Sequence, residues 1–313
     1  MNKTLRLVLL LLLGLSSAVQ AAQPATKPAP LTIAEQGYFF VAGQYTTAKD
    51  GQIMTGQMFV QFQIPAQRRH RYPVVMWHGG GQTGTNFLGT PDGRMGWAEY
   101  FVRQGYAVYV VDQPGRARSG YFTDTYGPTR RPNATAMSER FTAPELAKRY
   151  PQAAMHTQWP GKGVAGDPVF DQFFASQVED MSNLTALEEL NRNAGVALLD
   201  KIGPAILLTH SQSGPFGWEI ADSRPDLVKA VVAVEPNGPP FYENSVIGAP
   251  DWFKDAALGR AWGITRLPLA YEPPAADPKD LQLVRQASPD GTGLVRCWLQ
   301  EAPARQLVNL WSV

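Results

Sequence analysis

The sequence predicts an α/β protein built on a mostly parallel central sheet, with antiparallel strands at its N-terminal side. Four short apolar runs, at 73–77, 106–111, 205–208 and 230–234, are separated mostly by helical patterns. Strands buried on both faces of a sheet made of βαβ units give that pattern. Each run ends in a polar or glycine-rich cluster: His78-Gly79-Gly80-Gly81, Asp112, Thr209-His210-Ser211 and Glu235. Open parallel sheets bind ligands beyond the carboxyl ends of their strands, so these clusters are expected along one edge.

Composition agrees. The 313 residues are 44% hydrophobic and 18% charged, with 28 Lys+Arg against 27 Asp+Glu. A net charge of +1 with that apolar content excludes a disordered chain and gives no basic stripe for nucleic acid. Twenty-nine glycines and 26 prolines exclude a coiled coil.

The elements follow in order. Lys3 and Arg6 precede an apolar run at 7–15, and short side chains stand at Val19 and Ala21. Residues 1–21 therefore read as a secretory signal peptide cleaved after Ala21. No later segment is long and apolar enough for a bilayer, so the mature protein is expected to be secreted or periplasmic, with no stable membrane span. Residues 22–36 read as a flexible Ala/Pro leader, and 37–313 as the folded domain. Segments 37–41 and 57–64 are rich in aromatic and β-branched residues and read as an antiparallel pair, joined through a turn at Lys49-Asp50-Gly51. A helix is expected at 95–104. Residues 121–170, rich in Pro, Arg, Thr and Tyr, interrupt the rhythm and read as a lid inserted over the sheet edge. A long helical pattern covers 171–200, broken near Asn191-Arg192-Asn193-Ala194-Gly195, and another helix runs to Ser223. The single cysteine, Cys297, cannot form an intrachain disulfide and reads as structural.

Chemistry concentrates at Thr209-His210-Ser211-Gln212-Ser213-Gly214. A strand turns sharply into a helix there, with small residues two positions either side of Ser211. That is the layout of a nucleophile elbow, with Thr209 and Ser213 replacing the glycines of G-x-S-x-G. The bland alternative is that Ser211 or Ser213 caps the helix. In His78-Gly79-Gly80-Gly81, backbone amides can approach a ligand oxygen. An oxyanion hole would use the amides of Gly80 and Gln212. Gly79, Gly81 and Gly84 also spell G-x-G-x-x-G, but dinucleotide-binding glycines open a helix directly, whereas here a loop runs to about Gly93. Glu235, one βαβ step after Ser211, could orient a histidine base. No metal-ligand spacing is visible, and no cofactor is implied.

In Trp77-His78-Gly79-Gly80-Gly81, 91–97, 111–116, His210-Ser211-Gln212-Ser213-Gly214 and Val234-Glu235-Pro236, the chain resembles the atypical secreted bacterial esterases of the α/β-hydrolase superfamily, from about Gly37 onward. The resemblance implies Ser211 as nucleophile, Glu235 as triad acid, and Gly80 and Gln212 as oxyanion hole; it supplies no particular substrate, and a small-molecule ester is the expected partner.

One departure matters. The triad of this fold runs serine, acid, histidine along the chain, but the four histidines are His70, His78, His156 and His210, all before Glu235. The last strand and helix, with the histidine loop, are expected to be missing, leaving a sheet edge bare and the chain inactive or poorly folded. Of the four, His156 in the insertion is the one substitute the sequence offers. A non-catalytic binding protein on the same scaffold is the alternative. Epoxide or halide chemistry would place Asp where Ser211 stands. Aromatic residues of the insertion, such as Tyr121, Phe122 and Trp159, hint at an apolar pocket, although core packing explains them equally well.

Overall fold

Runs of four to six consecutive apolar residues are too short for helices and too apolar for a wetted face, so they belong at the centre of a covered sheet. The computed structural model, which describes residues 29–149, 151–238, 240–241, 259–285, 298–300 and 303–310, puts all four runs there. They form β5 (Val74–Trp77), β6 (Val108–Asp112), β9 (Ala205–His210) and β10 (Val228–Val234), and neighbours among them are parallel. The two long N-terminal strands, β1 (Ile33–Val41) and β4 (Met58–Pro65), pair antiparallel with Tyr38 opposite Gln61. Strand β4 also runs antiparallel to β6, giving a six-stranded sheet of order β1-β4-β6-β5-β9-β10. Within the described residues β10 is an outer strand, and Val232 on it is half exposed.

The expected α/β class and mixed sheet are therefore observed, with three local corrections. Strand β1 begins at Ile33, so the last four residues expected in the leader are strand. The turn at Lys49-Asp50 closes a separate hairpin, β2 (Gln44–Ala48) with β3 (Gly51–Thr55), that stands between the two long strands. The helical pattern of 171–200 breaks earlier than expected. Helix α2 (Pro168–Ala175) ends before a two-residue strand, β8 (Asp180–Met181), which pairs with β7 (Thr129–Arg130) from the insertion. Helix α3 (Leu184–Ile202) then runs unbroken through Asn191 and Gly195. Asn191 is not a breaker because both ends of its amide are used. Its Nδ2 donates to Leu187 O at 2.8 Å, and its Oδ1 accepts from Trp77 Nε1 at 3.1 Å.

Helix α1 (Trp97–Arg103) matches its expected position, and α4 (Gly214–Ser223) follows β9 as expected. Trp77, Val75, Val111 and Leu207 from the strands meet Leu198, Phe216 and Ile220 from α3 and α4 in one core. Each such side chain contributes roughly 1.5–3 kcal/mol when fully buried. Among the described residues, no helix is long and apolar enough to cross a membrane. The stretch read as a signal peptide, most of the leader and Cys297 lie outside the described residues.

Candidate active site

Strand β9 ends at His210, and one helical turn (Ser211–Ser213) leads straight into α4. Ser211 stands at the bend with φ 53°, a left-handed backbone that costs an L-residue roughly 1–2 kcal/mol. Such strain persists only where the surroundings impose it. Its hydroxyl bonds to no described residue. Ser213, which precedes α4, does not cap it with its side chain either and is turned back toward the sheet. Its Oγ accepts from His210 N–H at 2.8 Å and donates to Trp77 O at 2.9 Å. The threonine that replaces a glycine at 209 is accommodated from the helix side. A Cβ on Gly217 would lie 2.9 Å from Thr209 Cγ2 and 3.1 Å from Val231 Cγ1.

The glycine-rich loop after β5 is anchored by His78, which is wholly buried. Its Nε2 accepts from Gln113 N–H at 3.2 Å, which leaves Nδ1–H to donate to Gly79 O at 3.0 Å. Burial, aided by the Arg116 charge, pulls its pKa from 6.5 to about 3, so the imidazole is neutral and fixed in place. Arg116 Nη1 donates to the same Gly79 carbonyl at 3.0 Å. The loop is thereby pressed on the elbow. A Cβ at Gly79 would sit 3.1 Å from Ser211 Cβ. Gly80, Gly81, Ser211, Gln212 and Asn237 line one cavity of about 490 Å³. Neither the Gly80 nor the Gln212 backbone N–H is engaged by a described residue.

Glu235 follows β10 directly, at φ 44°, and is exposed. The turn after it closes on the elbow, since Asn237 N–H donates to Ser211 O at 2.8 Å. His210 is held below its ordinary pKa by burial, with the Glu235 charge opposing, and its Nδ1 lies 3.2 Å from Gln82 Oε1. The remaining histidines are elsewhere. His156 pairs with Glu145 at 3.0 Å inside the insertion and does not line the Ser211 cavity, while His70 stacks on Tyr106 with centroids 3.7 Å apart. The structure thus brings together Ser211, Gln212, Gly80 and the Glu235 turn. It joins none of the four histidines to them as a base. Asp112, expected along the same edge, serves the fold. Burial pushes its pKa up, but bonds from Arg118 and from Gly84 N–H hold it below the ordinary carboxylate value. That bond also gives Gly84 a structural task rather than a dinucleotide-binding one.

Several site residues escaped the sequence reading. Asp180 on β8 accepts from Gln212 Nε2 at 3.0 Å and pairs with Arg116 at 3.3 Å and Arg130 at 3.2 Å. Arg130, Arg131 and Arg140 come from the insertion and line the cavity. The adjacent Arg130-Arg131 pair was the one visible signal for them, and nothing local marks Asp180. Tyr121, Phe122 and Trp159 do not line this cavity. Trp159 packs on Phe173 and Tyr121 on Tyr126. Among the described residues, no group of three or more His, Cys, Asp or Glu is arranged to hold a metal ion.

Comparison with known proteins decides the family. The chain is 40% identical over 279 residues to the probable secreted lipase phiG of a fungal species (strain ATCC 74256), covering 88% of this chain and 71% of that protein. The chain belongs to the α/β-hydrolases. This α/β-hydrolase is also similar to a bacterial esterase of known atomic-resolution structure, at 32% identity and a TM-score of 0.53, over 68% of this chain and 71% of that one. No protein-family model matches it.

Proposed function

We propose that this α/β-hydrolase is a secreted serine hydrolase that cleaves carboxylic esters through an acyl-enzyme. Ser211 Oγ attacks the ester carbonyl carbon. The carbonyl oxygen takes up the negative charge and is held by the Gly80 and Gln212 amides. Collapse of that intermediate expels the alcohol, which takes the proton lost by Ser211, and water then releases the acid. Glu235 stands where the acid of such a triad orients a histidine base, a base that none of the four histidines supplies here. The observation that carries the reading is the strained Ser211, its hydroxyl unbonded within the described residues, sharing a cavity with two unengaged amides. The names of the lipase and esterase relatives support the same chemistry.

All four histidines are committed away from Ser211 as its base, so its hydroxyl keeps the weak nucleophilicity of an ordinary alcohol. Loss of a triad member leaves a remnant of roughly 10³–10⁴ over water. The test is p-nitrophenyl acetate hydrolysis with and without added imidazole as a diffusible base. A slow, Ser211-dependent rate that imidazole raises supports the reading. Hydrolysis at ordinary esterase rates, or a rate untouched by Ser211→Ala, overturns it. The same histidine placement favours a second reading, a non-catalytic small-molecule binder. A folded protein that never reacts with a fluorophosphonate, even with imidazole, supports that one.

A further inference from the structure

We propose that the ester accepted here carries a second, negatively charged group, a carboxylate, held by Arg131 and Arg140 while its carbonyl lies at Ser211. This rests on the esterase reading of Ser211. The cavity is lined by three guanidinium groups, with Arg116 packed behind them, and by one carboxylate, Asp180. That carboxylate is already shared. Arg130 reaches its two oxygens from Nε at 3.2 Å and Nη2 at 3.3 Å, and Arg116 lies 3.3 Å away. Arg116 is further occupied by Gly79 O and Gln212 Oε1.

Arg131 and Arg140 have no carboxylate partner among the described residues. The acids next to Arg140 in sequence are taken, since Glu139 pairs with Arg149 and Glu145 with His156, and Glu179 accepts from Thr129 Oγ1 at 2.5 Å. Arg140 is half-buried over the Phe141 ring, 5.0 Å from its centroid, and its buried Nε has no partner. Burial first, then the charges of Arg130 and Arg149, lowers its affinity for its own proton, so these cations crowd one another. An anion placed among them relieves both the repulsion and the lost hydration. Met137, Phe141 and Leu184 supply an apolar wall suited to a short carbon chain between the two ends of the ligand. A neutral ester filling the same space would cover the guanidinium groups without compensating them.

The test uses titration calorimetry on the full chain carrying Ser211→Ala, with monomethyl glutarate as the anionic probe and methyl pentanoate as the neutral one. A carboxylate pairing with guanidinium here should tighten binding about tenfold or more. Arg131→Gln with Arg140→Gln should erase that advantage, and Arg140→Lys should keep part of it. Arg94→Gln, an exposed residue paired with Asp92, serves as the control. Raising salt to about 0.5 M should shrink the advantage in the parent protein, which tests the claim without any arginine variant. Equal binding of the two esters, or an advantage that survives both salt and the double substitution, overturns the inference. Imidazole-assisted turnover of the same esters separates the two claims. Ser211-dependent turnover without anion preference sinks this inference and leaves the esterase reading. Anion preference in binding without any Ser211-dependent turnover does the reverse.

Discussion

Replacing Ser211 by glycine and by alanine distinguishes a strained nucleophile elbow from an ordinary helix start. At φ 53° an L-residue loses roughly 1–2 kcal/mol that glycine does not. Glycine gives back roughly 0.5–1 kcal/mol through the greater freedom of the unfolded chain. Ser211→Gly should therefore be more stable than Ser211→Ala by about 0.5–1 kcal/mol. For a chain of this size that is a rise of about 1–3 °C in Tm. Ser211→Ala should match the parent, because the hydroxyl bonds to no described residue. Both variants lose Ser211-dependent ester hydrolysis. Scanning calorimetry at fixed pH reads the stabilities. If Ser211→Ala loses about 1 kcal/mol, as deletion of a helix cap does, or if Ser211→Gly is the less stable of the two, the strain argument is wrong.

Three further outcomes are expected. Gly217→Ala brings a methyl within 2.9 Å of Thr209 Cγ2 and should cost about 1–3 kcal/mol in urea unfolding, recovered in part by adding Thr209→Ala. His78 is neutral in the fold with its pKa depressed to about 3, so its stabilisation is present above pH 6.5 and is lost as pH falls from 6.5 toward 3. His78→Gln should flatten that part of the Tm–pH curve, whose slope from this group is at most about 1.4 kcal/mol per pH unit. Glu219 is buried on α4 beside Glu188, and burial first, then that neighbour, raises its pKa well above 4.5. The fold favours its protonated form, so its contribution to stability falls as pH rises above 4.5. Glu219→Gln should thus gain on the parent between pH 4 and 7 in thermal unfolding, and an unchanged gap would refute this assignment.

The parts of the site legible in the sequence are those whose chemistry is local. Gly79 and Gly80 stand next to each other after an apolar strand, and Ser211 sits between a strand and a helix, so steric need alone marks them. Thr209 and Ser213 blurred the elbow. Their tolerance depends on Gly217 one helical turn on and on Trp77 O far back in the chain. Asn191 and Gly195 read as breakers because their compensations, Trp77 Nε1 and the close approach of Ile220, are tertiary. The Asp180–Arg116–Gln212 clamp joins three distant segments through the two-residue pairing of β7 with β8, which leaves no periodic trace. Spacing along the chain likewise could not show that His78 is buried and locked by Gln113.

The most direct measurement is mass spectrometry of the folded chain after prolonged exposure to a fluorophosphonate, with and without imidazole. One adduct is expected, on the peptide containing Ser211, formed slowly, hastened by imidazole and absent from Ser211→Ala. An adduct on Ser213 or another hydroxyl, or none at all with imidazole present, would contradict it.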